Sequence, residues 1–231
     1  MPISYRSLPR VFISGASPEG PIALPKDEVD KLRKVLRLSD GAKIAVLPAN
    51  GTLIVAEFKG NTGVPLEVLR LQTEPNLHLT LIQALPKGDK LDEIIRACTS
   101  IGVSRFVLFP SDRTIVHWDD KKLADRMQRF QTIAKEAAEV SFRMLLPEFR
   151  TVKDLGEALQ RYPDAVVLSE VEGVPRQLER QGDEMSIVVG PEGGWAAREL
   201  ELIGTRAVTL GPRVLRVEHA GPAAAALLLL R

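Results

Sequence analysis

The chain has 231 residues, 45% of them hydrophobic and 26% charged, with 31 Lys and Arg against 30 Asp and Glu for a net charge of +1. These proportions supply enough apolar material for a real core and exclude wholesale disorder. The only cysteine is Cys98, which excludes an intrachain disulfide and suits a reducing compartment, so a cytoplasmic protein is expected.

Charge is unevenly spread. Residues 1–72 carry 10 Lys and Arg against 7 Asp and Glu, and residues 73–231 carry 21 against 23, so a polyanion site is expected to start in the N-terminal part. Met1 to Arg10 contains no apolar h-region, and no signal peptide is expected. The longest apolar run, Ala220 to Leu230, is about half of the ~20 residues of a membrane-spanning helix and reads as a buried helix.

Lys26 to Leu38 places Val29, Leu32, Val35 and Leu36 at helical spacing with Lys31, Arg33, Lys34 and Arg37 among them, and Asp40-Gly41 closes the segment. Between Lys43 and Leu71 the apolar residues form three short runs, Ile44 to Leu47, Leu53 to Phe58 and Val64 to Leu71. Asn50-Gly51 and Gly60-Asn61-Thr62-Gly63 separate them, which predicts hairpin-linked strands and a small β-barrel. Thr73 to Asn76, with Pro75, reads as a linker between two domains, 1–72 and 73–231.

Past the linker, strands alternate with helices. Strands are expected at Leu77 to Leu85, Arg105 to Phe109, Ala165 to Leu168, Ile187 to Val189 and Ala207 to Leu210. Helices are expected at Lys90 to Ile101, Lys121 to Glu139, near Val152 to Gln160, at Ala196 to Ile203 and from Glu218. This alternation predicts an α/β fold with a mainly parallel sheet, whose ligand loops lie at the carboxyl ends of its strands.

Two loops carry more chemistry than connectors need. Gly190-Pro191-Glu192-Gly193-Gly194-Trp195 follows a buried strand and opens a helix, and its glycines let backbone N–H groups approach a ligand. It is neither a dinucleotide fingerprint nor a P-loop. A tight turn without a ligand would need the same glycines. The second loop, Leu210 to Ala220, packs Arg213, Arg216, Glu218 and His219 into seven residues. Glu218 also suits the first turn of a helix for its dipole alone. Both loops fall at strand ends of one sheet, which favours a ligand site. The histidines His78, His117 and His219 show no metal-ligand spacing with Cys98 or with carboxylates, so no metal is expected. Trp118 and Trp195 read as packing residues before base platforms.

At these residues the chain closely resembles the RsmE family, SPOUT-class enzymes that methylate N3 of a uridine in 16S rRNA. Gly190 to Trp195 and Leu210 to Arg216 match that family's two cofactor loops. The likeness extends to Pro86-Lys87-Gly88-Asp89-Lys90, Gly102-Val103, Arg113, Glu136-Ala137-Ala138-Glu139, Arg143, Pro147 and Val35 to Gly41. The resemblance implies a PUA-like β-barrel followed by an α/β domain with a trefoil knot, a homodimer with helix 218–230 largely at its interface, and S-adenosylmethionine as cofactor. It places that cofactor against Leu168 to Glu170, Gly190, Pro191, Glu192, Gly193, Leu210, Gly211, Val214, Leu215 and Arg216.

For the reaction, Arg213 or Arg216 would stabilise negative charge on a uracil oxygen, and Glu218 or His219 would accept a proton. RNA phosphates would meet Arg6, Arg10, Lys31, Arg33, Lys34 and Arg37, then Lys87, Lys90 and Arg113 nearer the reaction site. Each of these is equally readable as an ordinary solvated cation. The chain departs from the family pattern at Ser100, at Val140 and Phe142, where an amide and a glycine are usual, and at Val217 and His219. Those departures keep two rivals open: a non-catalytic RNA-binding or ribosome-assembly protein, and a methyltransferase with another RNA target.

Overall fold

The apolar runs at Ile44 to Leu47 and Leu53 to Ala56 are continuous rather than alternating, and the computed structural model, which describes residues 4–115, 118–170 and 176–230, gives the reason. Here a 3-10 turn at Tyr5–Ser7 leads to β1 (Arg10–Phe12), β2 (Ile22–Ala23), α1 (Lys26–Asp30), β3 (Lys43–Leu47), β4 (Thr52–Lys59) and β5 (Thr62–Arg70). The strands form one sheet in the order β1-β3-β4-β5-β2, antiparallel except for β1 with β3. Both faces of this sheet are covered. Ile44, Val46, Ile54, Ala56 and Phe58 pack with Leu32 on one side. Ala45, Leu47, Leu53 and Val55 pack with Leu8, Phe12, Ala138 and Met144 on the other. A strand buried on both faces reads as an unbroken apolar run.

Ala138 and Met144 arrive from far along the chain. The first compact unit comprises Met1–Glu74 together with Ala138–Leu146, and the second comprises Pro75–Ala137 and Pro147–Arg231. Within the first unit, Glu139 is 7% exposed; it accepts the Phe12 N–H at 3.2 Å and pairs with Lys31 Nζ at 2.6 Å. Lys31 also pairs with Glu28 at 3.0 Å. Burial pushes the Glu139 carboxyl up, more than Lys31 draws it down. Burial opposes the Lys31 charge as well, yet Glu139 and Glu28 outweigh it and raise that pKa. Glu74 takes the Arg143 guanidinium at 2.8 and 3.0 Å on one oxygen and the Met144 N–H at 2.8 Å on the other.

The expected helix from Lys26 to Leu38 is only partly found. After α1 the chain widens into a π-helical turn, Lys31–Val35, with the Leu36 N–H reaching the Lys31 carbonyl at 2.9 Å. That extra residue per turn shifts the phase of the apolar stripe. Leu32 stays fully buried, but Val35 is 72% and Leu36 43% exposed. Phe142 stands at φ +62°, a left-handed position that a glycine adopts freely and an aromatic residue rarely does. Its ring packs beside the Leu8 and Phe12 cluster and lies under Arg6 and Arg10, at 5.7 and 5.1 Å from the guanidinium carbons.

In the second unit the elements are β6 (His78–Ala84), α2 (Lys90–Ile101), β7 (Arg105–Phe109), α3 (Asp120–Val140, whose last residues belong to the first unit), β8 (Glu148–Thr151), α4 (Leu155–Arg161), β9 (Val166–Leu168), β10 (Glu184–Val189), α5 (Ala197–Ile203), β11 (Ala207–Val208) and α6 (Val217–Leu229). The sheet order is β11-β9-β10-β6-β7-β8, and every pair in it is parallel. One face is covered by α2, α3 and α6. The other is covered by α4 and α5. Gly221 lets α6 lie close on β6, since a Cβ there would meet Leu81 at 3.3 Å. Edge strand β8 was not expected, and α4 begins later than the pattern suggests because Asp154 caps it by accepting the Glu157 N–H at 2.8 Å. No helix among the described residues is long and apolar enough to cross a membrane.

Removing the Glu139 carboxylate leaves the Phe12 N–H and Lys31 short of a buried acceptor. Glu139→Ala is expected to lower the unfolding free energy in urea by about 2 kcal/mol, and a change below about 0.5 kcal/mol would show that the carboxylate is dispensable.

Candidate active site

The chain enters the second sheet at β6, runs outward through β7 and β8, then returns to the other side of β6 for β9, β10 and β11. Strands β6 and β10 are therefore neighbours from which the chain leaves in opposite directions. At such a reversal the loops diverge and leave a crevice beyond the carboxyl ends. A cavity of about 600 Å³ lies on the β10 side of this reversal, beyond the carboxyl ends of β9, β10 and β11, walled by the loops that follow them together with Lys90, Arg113, Val217 and Ala220. That volume is ordinary for a site that encloses a small molecule.

The loop after β10 is shaped by its own tryptophan. Trp195 is 8% exposed and its indole N–H donates to the Leu168 carbonyl at 3.1 Å, which ties this loop to the end of β9. A Cβ on Gly190 would stand 3.0 Å from the indole ring, so a side chain there would push the ring away. Gly194, at φ +68°, closes the turn with its N–H on the Pro191 carbonyl at 3.0 Å. Arg113 donates to the Gly193 carbonyl at 2.6 Å. Glu199 is 1% exposed and caps α5 by accepting the Ala196 N–H at 3.0 Å, while it also accepts from Ser111 Oγ and the Asp112 N–H, each at 3.1 Å. Sequence reasoning passed over Glu199, although a glutamate three residues into a helix is a recognisable capping signal.

The loop after β11 is anchored by Glu170, whose carboxylate accepts the Leu215 N–H at 3.1 Å. Gly211 turns at φ +118°. Of the residues expected to hold a cofactor, Leu168, Glu170, Gly190, Pro191, Glu192, Leu210, Val214, Leu215 and Arg216 line the cavity. Gly193 and Gly211 are absent from its wall and shape the two loops instead. Ser169, Val189, Gly194 and Thr209 line it as well; their only signal in the sequence is their position next to strand ends.

Arg213 and Arg216 line the cavity with exposed side chains, but Glu218 does not. The Glu218 side chain is 11% exposed and sits 3.3 Å from Lys90 Nζ. Its own backbone N–H, followed by Lys90, holds its carboxyl below the usual range despite burial. Lys90 also meets Glu192 at 3.1 Å. Burial pushes Glu192 up, but its own backbone N–H, Lys90 and the Lys87 N–H outweigh this and leave it lowered. The Lys90 pKa is raised, by Glu192 first and then by Glu218, against burial.

In the first unit, several cations read as phosphate contacts are engaged within that unit. Arg10 donates to the carbonyls of Glu139 and Arg6, and burial lowers its pKa in spite of Glu139. Arg33 pairs with Asp40 at 2.6 Å and lies over the Phe58 ring at 4.6 Å. Lys34 pairs with Asp30 at 2.9 Å on the surface. Arg6 and Arg37 are exposed, Arg37 at φ +55°. Lys87 is exposed too. Trp118 is half-buried against Phe130, at 6.0 Å between ring centroids. Among the described residues no group of His, Cys, Asp and Glu is placed to hold a metal ion, and His117 lies outside them.

Gly190→Ala, made in a Trp118→Phe background so that Trp195 alone reports, is expected to break the indole contact with Leu168. Its emission should shift toward that of an exposed tryptophan and its urea stability should fall by about 1–3 kcal/mol, whereas an unshifted spectrum would refute the close approach.

Residues 73–229 match the model of a family described as an RNA methyltransferase domain. The chain is 33% identical over 214 residues to the ribosomal RNA small subunit methyltransferase E of Bacillus subtilis (strain 168), with 84% of each chain covered. It is 32% identical over 213 residues to the protein of the same name from Synechocystis sp., covering 86% of this chain and 69% of that one. A crystal structure of a ribosomal RNA small subunit methyltransferase E from Neisseria gonorrhoeae bound to S-adenosyl methionine has a TM-score of 0.83 to it at 27% identity, over 95% of both chains. By its matched domain and its relatives alike, the chain belongs to the RNA methyltransferases of the ribosomal RNA small subunit methyltransferase E family.

Proposed function

We propose that the chain methylates N3 of a uridine in the 16S rRNA of the small ribosomal subunit, with S-adenosylmethionine as methyl donor, in the cytoplasm and as a homodimer. In this reading residues 1–72 form a PUA-like RNA-binding domain and residues 73–231 a SPOUT-type knotted methyltransferase domain. The observation that carries it is the cavity beyond the carboxyl ends of β9, β10 and β11, walled by the same two loops that resemble the family's cofactor loops. Membership of the family, and the cofactor held by the Neisseria relative, point the same way.

The residues present fit that cofactor. Leu168, Leu210, Val214 and Leu215 offer apolar wall for an adenine ring, and Gly190 lets the backbone of the loop after β10 lie against Trp195 at the cavity wall. S-adenosylmethionine supplies a methyl group on positively charged sulfur. The chain's part is to hold uracil N3 in line with that methyl, to exclude water, and to let the N3 proton leave. Arg213 and Arg216 stand open to the cavity and suit the uracil oxygens, which gain negative charge as the proton departs. Glu218 and His219 are the proposed proton acceptors. Because Glu218 is held below the ordinary carboxylate range it is a weak base, and positioning is assigned the larger share of the rate. Arg6, Lys34, Arg37, Lys87 and Arg113 are proposed to meet phosphates, and Arg10, Lys31 and Arg33 to support that surface from within the first unit.

Labelled methyl transfer from S-adenosylmethionine to small subunits from a strain lacking the protein is expected to yield a single 3-methyluridine in 16S rRNA. Arg213→Ala should lower kcat by about 10²-fold, and Glu218→Gln with full turnover would remove Glu218 as the base. Cofactor binding without transfer to subunits or free RNA would redirect the search to another substrate, and absence of both would leave a non-catalytic RNA-binding protein.

A further inference from the structure

Three charged side chains from three separate segments meet at one edge of the cavity. Lys90 is the first residue of α2, Glu192 lies in the loop after β10, and Glu218 lies in the first turn of α6. The Lys90 ammonium stands 3.1 Å from Glu192 Oε1 and 3.3 Å from Glu218 Oε2. Glu192 Oε1 also accepts the Lys87 N–H at 3.0 Å, so the turn before α2 and the first residue of α2 both hold the same carboxylate oxygen of the loop after β10. On its other oxygen Glu218 faces the Arg216 guanidinium at 4.0 Å.

Physical chemistry makes this arrangement hard to explain as surface decoration. A lysine at the start of a helix opposes the helix dipole, which favours anions there. Two carboxylates converging on one point repel each other unless a cation stands between them. Each oddity is answered by the other: the ammonium neutralises the carboxylates, and the carboxylates offset the dipole. With its side chain only 33% exposed and two anions already within reach, Lys90 is poorly placed to wait for a phosphate.

We propose that Lys90 is a positioning residue for methyl transfer, its one ammonium fixing Glu192 in the cofactor-side loop and Glu218 beneath Arg216, so that both walls of the cavity are set together. This rests on the reading of the cavity as a cofactor site. Lys90 acts through its partners and need touch neither substrate. Lys87 and Arg113 are left as the cations for RNA at this end of the domain.

The test uses the full chain, with S-adenosylmethionine affinity measured by calorimetry without RNA and steady-state transfer measured on small subunits at several salt concentrations. Lys90→Met is expected to weaken cofactor affinity about tenfold and to lower kcat, while KM for subunits and its salt dependence change less than about twofold. Lys90→Arg, which keeps a cation of similar reach, should restore most of the affinity. The opposite split, with unchanged cofactor affinity, a raised KM for subunits and a shallower salt slope, is the signature of a phosphate contact and overturns the proposal. Should Lys90→Met fail to fold, the Glu192→Gln, Glu218→Gln double variant keeps the lysine but removes both charges it bridges. Its cofactor affinity must then fall by a similar factor, and wild-type affinity in that variant rejects the bridge. A wild-type chain that binds no S-adenosylmethionine rejects the cofactor reading and this inference together; one that binds it without transferring a methyl group to subunits leaves the affinity comparison decisive for Lys90 alone.

Discussion

The candidate site depends on one pairing, that of β10 with β6 in parallel register from Glu184 opposite His78 to Val189 opposite Gln83. Because the two strands end level, the turn after β6 and the glycine-rich loop after β10 start side by side. Lys87 and Lys90 can then reach Glu192, over a hundred positions further along the chain. A slip of one residue would exchange the two faces of β10 and carry Ile187 and Val189 out of the core they share with Leu79 and Leu81. The sheet's own hydrophobic pattern therefore sets the geometry of the loops.

Close packing refines what the register sets. Gly190 lies so near Trp195, and Trp195 is so firmly held on the Leu168 carbonyl, that the loop after β10 has little freedom to open. Glu199 braces the same loop from behind by joining the start of α5 to Ser111 and Asp112. Preorganisation of this kind lowers the ordering cost that a ligand would otherwise meet on binding. Here the glycines serve contact as much as flexibility.

Much of this was readable from the residues, and the failures have physical causes. Strands β6 and β7 and helices α2 and α3 fall within a residue or so of expectation, because long apolar periodicity and strong stops such as Gly102, at φ +118°, act locally. The loops carrying the site were legible because glycine and charge accumulate where a backbone must turn and a ligand must be met. What could not be read is what depends on distant partners. The two-residue strand β2 exists only because β5 pairs with it, whereas β11 was expected at Ala207 to Leu210 and forms over its first two residues. The π-helical turn after α1 keeps Lys31 between Glu28 and Glu139, over a hundred residues away, and no periodicity in Lys26 to Leu38 announces that. For the same reason Arg10 and Lys31 look like a basic surface in the sequence, yet spend their charge inside the first unit.

The departures from the family pattern separate in the same physical terms. At Phe142 the backbone keeps the left-handed turn that a glycine would take without strain, a cost on the order of 1–3 kcal/mol for a bulky residue. The ring offsets part of it through contact with the Leu8 cluster and with two guanidinium groups, each worth about 0.5–1 kcal/mol at an exposed site. Phe142 is thus a local exchange of strain for packing. Val140 is 80% exposed and has no such compensation around it. Val217 is buried in the core beside α2, and of the two residues that follow it Glu218 meets Lys90 at the edge of the cavity while His219 is exposed. Val217 therefore extends the core at the start of α6, and Glu218, between it and the exposed His219, is the residue held by Lys90.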